Sequence, residues 1–233
     1  MIRHRWDIPP KEAVALQRQL AGEVRIEPLR DSLRTVAGAD CAFVGERLGR
    51  RQPARGRIIA AAVLCDADAM EVLATSEVNR PCEFPYVPGL LSFREAPAVI
   101  EAVERLPRRP DLLMCDGQGY AHPRRFGLAS HVGVWLDVPT IGVAKSRLCG
   151  EAAEPGIARR SRAALRDRGE TVGAVLRTRT RVRPLYISVG HRVTLDDAVR
   201  WALRCAVRFR LPEPTRLADR LVARLKRSFA ELP

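Results

Sequence analysis

Residues 112–119 read Leu112-Leu113-Met114-Cys115-Asp116-Gly117-Gln118-Gly119, an apolar run that stops on an acid and then turns on two glycines. A short, continuously apolar run bounded by glycines is the mark of a strand buried on both faces of a sheet. Asp116 therefore falls where a central strand ends, and open α/β sheets place their binding crevice there. Gly117 and Gly119 let the backbone turn sharply and let a ligand approach closely. Taken alone, Asp-Gly is a solvated turn. What lifts it above that is the chain on either side.

Upstream lies a second acid in an apolar setting. Leu33 to Val44 reads as a strand with Val36, Ala37, Ala39, Cys41, Phe43 and Val44 covering both faces, and Asp40 interrupts it. An ionised carboxylate there is costly unless it is paired or binds a cation. A buried Asp–Arg pair suits so Arg-rich a chain; metal binding is the favoured alternative. Arg57 to Cys65 and Met70 to Val78 make two further strands, so that the three form an antiparallel meander, with the polar 45–56 segment as a connecting loop. Asp66 and Asp68 resemble half of a calcium loop, but no glycine or Glu follows at the required spacing. They read as a turn.

The next segment is Phe84-Pro85-Tyr86-Val87-Pro88-Gly89-Leu90-Leu91-Ser92-Phe93-Arg94-Glu95. Prolines on either side of Tyr86 stiffen a projecting loop and hold an aromatic out at low entropic cost. Rigid apolar wedges of this kind enter base stacks, although such loops more often pack on their own core. Ser92-x-x-Glu95 has the form of a capping box opening a helix that reaches Leu106. On the residues alone, capping is the favoured role of Glu95.

Downstream of Asp116, a helix is expected over Arg124 to Leu136, carrying His131, then a strand over Pro139 to Ala144. Strands alternating with helices imply parallel pairing on this side of the sheet. Lys145 follows at the strand's end, and a compact ammonium in a chain that otherwise uses Arg suggests that a point charge is wanted there. Residues 149–169 read as a surface loop or short helix, Thr171 to Arg179 and Leu185 to Val189 as a closing hairpin, and Thr194 to Val207 as a helix. Pro9 to Gly22 is a packing helix with Gly22 as its C-cap. A final helix follows Pro214, on which Asp219 either faces the sheet or pairs with Arg216 one turn back.

Composition sets the partner class. The chain has 233 residues, 46% of them hydrophobic, which suits one domain over 1–233. Net charge is +13, and of 40 basic residues only Lys11, Lys145 and Lys226 are lysines. The Arg skew fits a GC-rich genome, but the surplus over acids predicts an acidic partner, most often nucleic acid. No apolar run is long enough to span a membrane, and the N-terminus lacks a signal-like segment, so a cytoplasmic location is expected. Six cysteines without a C-x-x-C pair read as core thiols. No G-x-S-x-G elbow, P-loop or zinc-deaminase P-C-x-x-C signature is present.

Three antiparallel strands followed by alternating helix and strand describe an α/β, ribonuclease H-like mixed sheet flanked by helices. In that layout the first and fourth strands are neighbours, which would bring Asp40 and Asp116 together. Two carboxylates at one spot repel and call for a divalent cation with positions left open for a phosphate.

With these pieces in place the chain resembles the endonuclease V family, the deoxyinosine 3′-endonucleases. The resemblance rests on Gly38-Ala39-Asp40, the Pro85 to Glu95 run, Asp116-Gly117-Gln118-Gly119 with His122-Pro123-Arg124, Gly142-Val143-Ala144-Lys145, and Pro212-Glu213-Pro214-Thr215-Arg216, in family order. It departs at Phe43, where Tyr is common, and at Asp219, where members vary between acid and histidine. The resemblance implies that Asp40 and Asp116 bind Mg²⁺, with Mn²⁺ able to replace it. Glu95 would lie beside the metal, and Lys145 would neutralise the phosphate being cut. Pro85, Tyr86, Val87 and Pro88 would fill the gap left by the flipped base, whose pocket would be lined by Gly89, Leu91, Gly117, Gly119, Gly127, Leu128 and Leu148. His122 would support the acids, with Asp219 a further supporting position. The implied reaction cuts the second phosphodiester 3′ to deoxyinosine in DNA, leaving a 3′-hydroxyl and a 5′-phosphate, by a monomeric repair enzyme. Cleavage of inosine-containing RNA and a non-catalytic nucleic-acid binder on the same fold are the alternatives; the intact acids and Lys145 speak against the second.

Overall fold

The computed structural model describes residues 3–30, 32–45, 56–82 and 84–230; most of the expected 45–56 loop lies outside them. In chain order the elements are α1 (Pro10–Ala21), β1 (Thr35–Gly45), β2 (Gly56–Asp66), β3 (Val72–Pro81), α2 (Leu91–Glu104), β4 (Leu112–Cys115), α3 (Leu128–Leu136), β5 (Thr140–Ala144), β6 (Arg162–Asp167), β7 (Glu170–Leu176), β8 (Leu185–His191), α4 (Leu195–Cys205) and α5 (Glu213–Ala230). The strands form one sheet in the order β3-β2-β1-β4-β5-β8-β7-β6. β1 and β2, and β2 and β3, pair antiparallel, whereas β1–β4 and β4–β5 are parallel. This is the expected ribonuclease H-like mixed sheet, extended by an antiparallel β8-β7-β6 meander.

Period-two alternation divides the core between the two faces. Ala37, Ala39, Leu113 and Cys115 pack under α2 and α3, while Val36, Leu112 and Met114 share a cluster with Trp201 and Ala202 of α4. Ala218 of α5 joins Val63 and Cys65 of β2 on that second side. Gly38 is what lets α5 come close. A Cβ there would lie 2.1 Å from the Pro214 carbonyl carbon, so any side chain would push the helix start off β1.

Three expectations need correction. Residues 162–167, expected in a loop or short helix, form β6; it is an edge strand in which only Leu165 is buried, so its arginines look like loop composition. The helix expected from Arg124 begins at Leu128, because Arg125 adopts φ 58° in a turn that ties it to Asp167 and Glu170. Ser92 is not a cap: Leu90 holds the N-cap position, and the buried Ser92 hydroxyl is 3.0 Å from His131 Nδ1. Gly22 is the C-cap of α1, as expected, and holds that position in an ordinary helical conformation. No helix among the described residues is long and apolar enough to cross a membrane.

Candidate active site

The parallel register of β1 and β4 sets the site. Ala39 lies opposite Cys115, and the Asp116 amide donates to the Ala39 carbonyl at 3.1 Å. Asp40 and Asp116 are thereby carried to the same level, just past the last paired residues. Asp40 shares a strand face with Gly38, the face against α5, and that helix delivers Asp219. Carboxylate oxygens of Asp40, Asp116 and Asp219 all lie within 4.8 Å of one another. Lys145, immediately after β5, places its Nζ 2.5 Å from Asp116 Oδ2 and 2.7 Å from Asp219 Oδ1. Arg216 pairs with Glu213, leaving Asp219 to face the sheet. No arginine pairs with Asp40 among the described residues.

Glu95 arrives from the opposite face of the sheet, on the first turns of α2. The Cys41 thiol donates to its carboxylate, and the Arg94 guanidinium lies over the Phe43 ring at 4.2 Å. Cys41 and Phe43 thus join Ala37 and Ala39 among the residues through which α2 meets the far side of β1. Asp40, Glu95, Asp116, Lys145, Asp219 and Lys226 line one open cleft of about 420 Å³. A larger hollow of about 800 Å³ beside β6 includes Asp167, but that acid is already paired with Arg125.

Crowding of like charge marks the cleft. Burial, followed by repulsion from Asp116, pushes the Asp40 carboxyl up to about 7. Burial, with a contribution from Asp40, pushes Glu95 up to about 8 despite the Cys41 bond. Asp116 is raised by burial, and Lys145 opposes the shift. For Lys145 burial alone would favour the neutral amine, but its two carboxylate partners hold it well above the ordinary lysine value. An all-oxygen donor set of carboxylates that repel one another fits a hard divalent cation. Asp40, Asp116 and Asp219 are the residues able to hold it.

The proline-bracketed loop stands beside this cleft. Phe84 and Leu90 are buried, while Tyr86 is 70% exposed between half-buried Pro85 and Val87, with Pro88 exposed beyond. The loop is pinned at Gly89 (φ 79°), whose carbonyl accepts from His122 Nε2 at 3.1 Å, Arg124 at 2.6 Å and Gln17 at 3.2 Å. His122, expected to support the acids, supports this loop instead. Its Nδ1 accepts from the Arg124 amide, so the ring is held neutral. Nothing in the sequence linked Gln17, on α1, to this place.

The expected base-pocket residues gather only in part. Leu128 packs against Gly117, and Gly127 donates to the Gly119 carbonyl, so these close on the 117–119 turn. A Cβ on Gly119 would meet the Val189 oxygen at 2.0 Å, and one on Gly127 the Gln118 oxygen at 2.3 Å; both glycines serve close backbone packing. Leu91 and Leu148 stand 40% and 49% exposed. Sequence reasoning left Asp219 undecided and missed Cys41 and Lys226, because strand and helix contacts made at long range bring them in.

The family model described as Endonuclease V matches residues 18–220. An endonuclease V of Azotobacter vinelandii is 52% identical over 219 residues, covering 94% of this chain and 96% of that protein. The crystal structure of the Streptomyces avermitilis endonuclease V is 42% identical, has a TM-score of 0.88 and covers 98% of each chain. The Ciona intestinalis endonuclease V, bound to a 23mer DNA containing an inosine followed by a ribo-adenosine, shares the fold at 20% identity, with a TM-score of 0.79 over 95% of this chain and 100% of that one.

Proposed function

Because this chain belongs to the endonuclease V family and is a nuclease acting on phosphodiester bonds, we propose that it is a DNA-repair enzyme that recognises deoxyinosine. It cuts the second phosphodiester on the 3′ side, leaving a 3′-hydroxyl and a 5′-phosphate. The observation that carries this reading is the cluster of Asp40, Asp116 and Asp219 carboxylates within 4.8 Å, with Lys145 among them, where β4 and β5 end beside β1 and α5.

Asp40 and Asp116 would hold Mg²⁺, or Mn²⁺ in its place, with Asp219 contributing. A divalent cation so bound supplies polarisation of the phosphoryl oxygen and of the attacking water. Lys145 would release one carboxylate to the cation and turn its ammonium to the phosphate, offsetting the charge that builds on the equatorial oxygens. Glu95, with its raised proton affinity, would hold a proton at its carboxyl beside Asp40 while the strand is seated. Tyr86, carried on Pro85, Val87 and Pro88, would enter the stack vacated by the hypoxanthine base. Gly89, Leu91, Gly117, Gly119, Gly127, Leu128 and Leu148 would border that base, with His122 fixing the Gly89 carbonyl. Residues 1–233 would act as one catalytic domain, as a monomer in the cytoplasm.

A second reading, cleavage of inosine-containing RNA, is favoured by the ribo-adenosine that follows the inosine in the Ciona complex. Matched DNA and RNA strands carrying one deoxyinosine or inosine, incubated with and without Mg²⁺, decide between them. The proposal expects Mg²⁺-dependent cutting of the DNA strand, one bond beyond the lesion's own 3′ phosphate. Cutting of RNA alone would reassign the substrate, and no cutting of either would remove the function.

A further inference from the structure

We infer that Lys226 is a phosphate-positioning residue: it holds the nucleic-acid backbone at a phosphate next to the one being cut. This rests on the reading of the cleft as the place where a strand is cleaved.

Three lysines stand among 40 basic residues, and two of them, Lys145 and Lys226, line the cleft that holds Asp40, Asp116 and Asp219. Helical register puts Lys226 there. Asp219, Val222, Ala223 and Lys226 follow one another at spacings of three, one and three residues along α5, and all four line the cleft. Two turns of helix separate Lys226 from Asp219, about 10 Å along the axis, so its ammonium serves a different phosphate from that held at the acids.

Its charge is also uncommitted. Lys145 is taken by Asp116 and Asp219, Arg216 by Glu213 and Arg224 by Glu77, whereas Lys226 has no ion-pair partner among the described residues. Val222 and Ala223, the cleft-lining residues between Asp219 and Lys226 along α5, are apolar and offer it no counter-charge. An exposed cation with no ion-pair partner among the described residues, lining a cleft that must take in a polyanion, is placed to meet the backbone. Lys226 also lies beyond the residues 18–220 that the family model matches. The competing explanation is a surface lysine near a helix C-terminus that merely complements the dipole. It predicts a small change in stability and none in substrate binding.

Lys226→Met and Lys226→Arg separate the two. On a deoxyinosine-containing DNA strand, the Met variant is expected to raise KM roughly fivefold, with kcat within about twofold. The steepness of log affinity against log salt should fall by about one phosphate contact. The Arg variant restores both, because only charge is required. A methylphosphonate placed at successive positions near the lesion should locate the phosphate: one position weakens the wild type and adds nothing in the Met variant. Melting temperature, read in parallel, shows whether either variant is misfolded. Unchanged KM and salt dependence in a folded Met variant overturn the inference alone, as does an Arg variant as impaired as Met. A wild-type enzyme that cuts no deoxyinosine strand overturns the underlying reading, and this inference with it.

Discussion

Asp40 and Asp116 are held where their charge is least welcome, and that fixes what their removal should do. Both carboxyls sit above the ordinary range because of burial, so at neutral pH the folded state bears a cost that the unfolded chain does not. Asp40→Asn should therefore leave the metal-free protein as stable as the wild type or more so, while cleavage falls by about a thousandfold or more. Strand binding should hold. Melting curves in EDTA, single-turnover cleavage in Mg²⁺ and gel shifts read the three quantities; strong residual Mg²⁺-dependent cutting would withdraw the metal assignment. Lys145→Arg tests shape against charge. A planar guanidinium cannot take the place of an ammonium seated 2.5 Å and 2.7 Å from two carboxylates. The variant is expected to fold and bind, yet to cut about a hundredfold more slowly; wild-type rates would reduce Lys145 to general positive charge. Asp40, Asp116 and Lys145 were legible in the chain because each is a local anomaly, a charge closing or breaking an apolar run. Asp219 was not, since its partner Lys145 is 74 residues away and its own neighbourhood offered Arg216. The Ser92-x-x-Glu95 pattern misled for the opposite reason: a local rule fitted, and the tertiary contact to His131 overrode it.

The loop that carries Tyr86 shows the same division between elements. Its proline brackets were plain in the sequence, but what pins it was not, because Gln17, His122 and Arg124 converge on the Gly89 carbonyl from two distant segments. That convergence has a pH signature. Burial, and then the nearby Arg124 charge, lower His122 from 6.5 to about 4. Below pH 6.5 the unfolded chain takes up a proton that the folded ring refuses, so stability is present at neutral pH and lost as pH falls towards 4. The loss attached to this one group is roughly 2 kcal/mol between pH 7 and pH 5. His122→Gln, compared with the wild type by urea denaturation at both pH values, should lose correspondingly less on acidification, whatever its stability at pH 7. Equal losses would place the acid sensitivity elsewhere, with fully buried His131 the next group to examine. Among strands, β1, β2, β4, β5 and β8 were readable within one or two residues, whereas β7 stops at Leu176, three residues short of the expected Arg179. β6 escaped because an edge strand exposes the polar side chains that loops also carry.

Across the whole molecule, the net charge of +13 and the exposed aromatic of the loop have separate jobs. The order of the central strands followed from counting alternating elements, whereas the sign and scale of the charge could be read only from composition and say nothing of fold. Charge of this kind attracts any strand, damaged or not, through release of counterions, so affinity for both should fall steeply with salt. If six phosphates are engaged, that is about a thousandfold between 50 and 200 mM. Discrimination between deoxyinosine and normal DNA should behave differently. Tyr86, 70% exposed, offers an aromatic face worth about 1–3 kcal/mol in base stacking, and stacking is not an ionic interaction. The ratio of the two affinities is therefore expected to stay nearly constant over the salt range in which each collapses. Tyr86→Ala should shrink that ratio by about tenfold at every salt concentration while leaving both salt slopes unchanged. Fluorescence anisotropy on paired strands in EDTA measures all four quantities without cleavage. A ratio that decays with salt as fast as the affinities would mean that the lesion is recognised by charge, and the exposed tyrosine would then be no more than the tip of a packed loop.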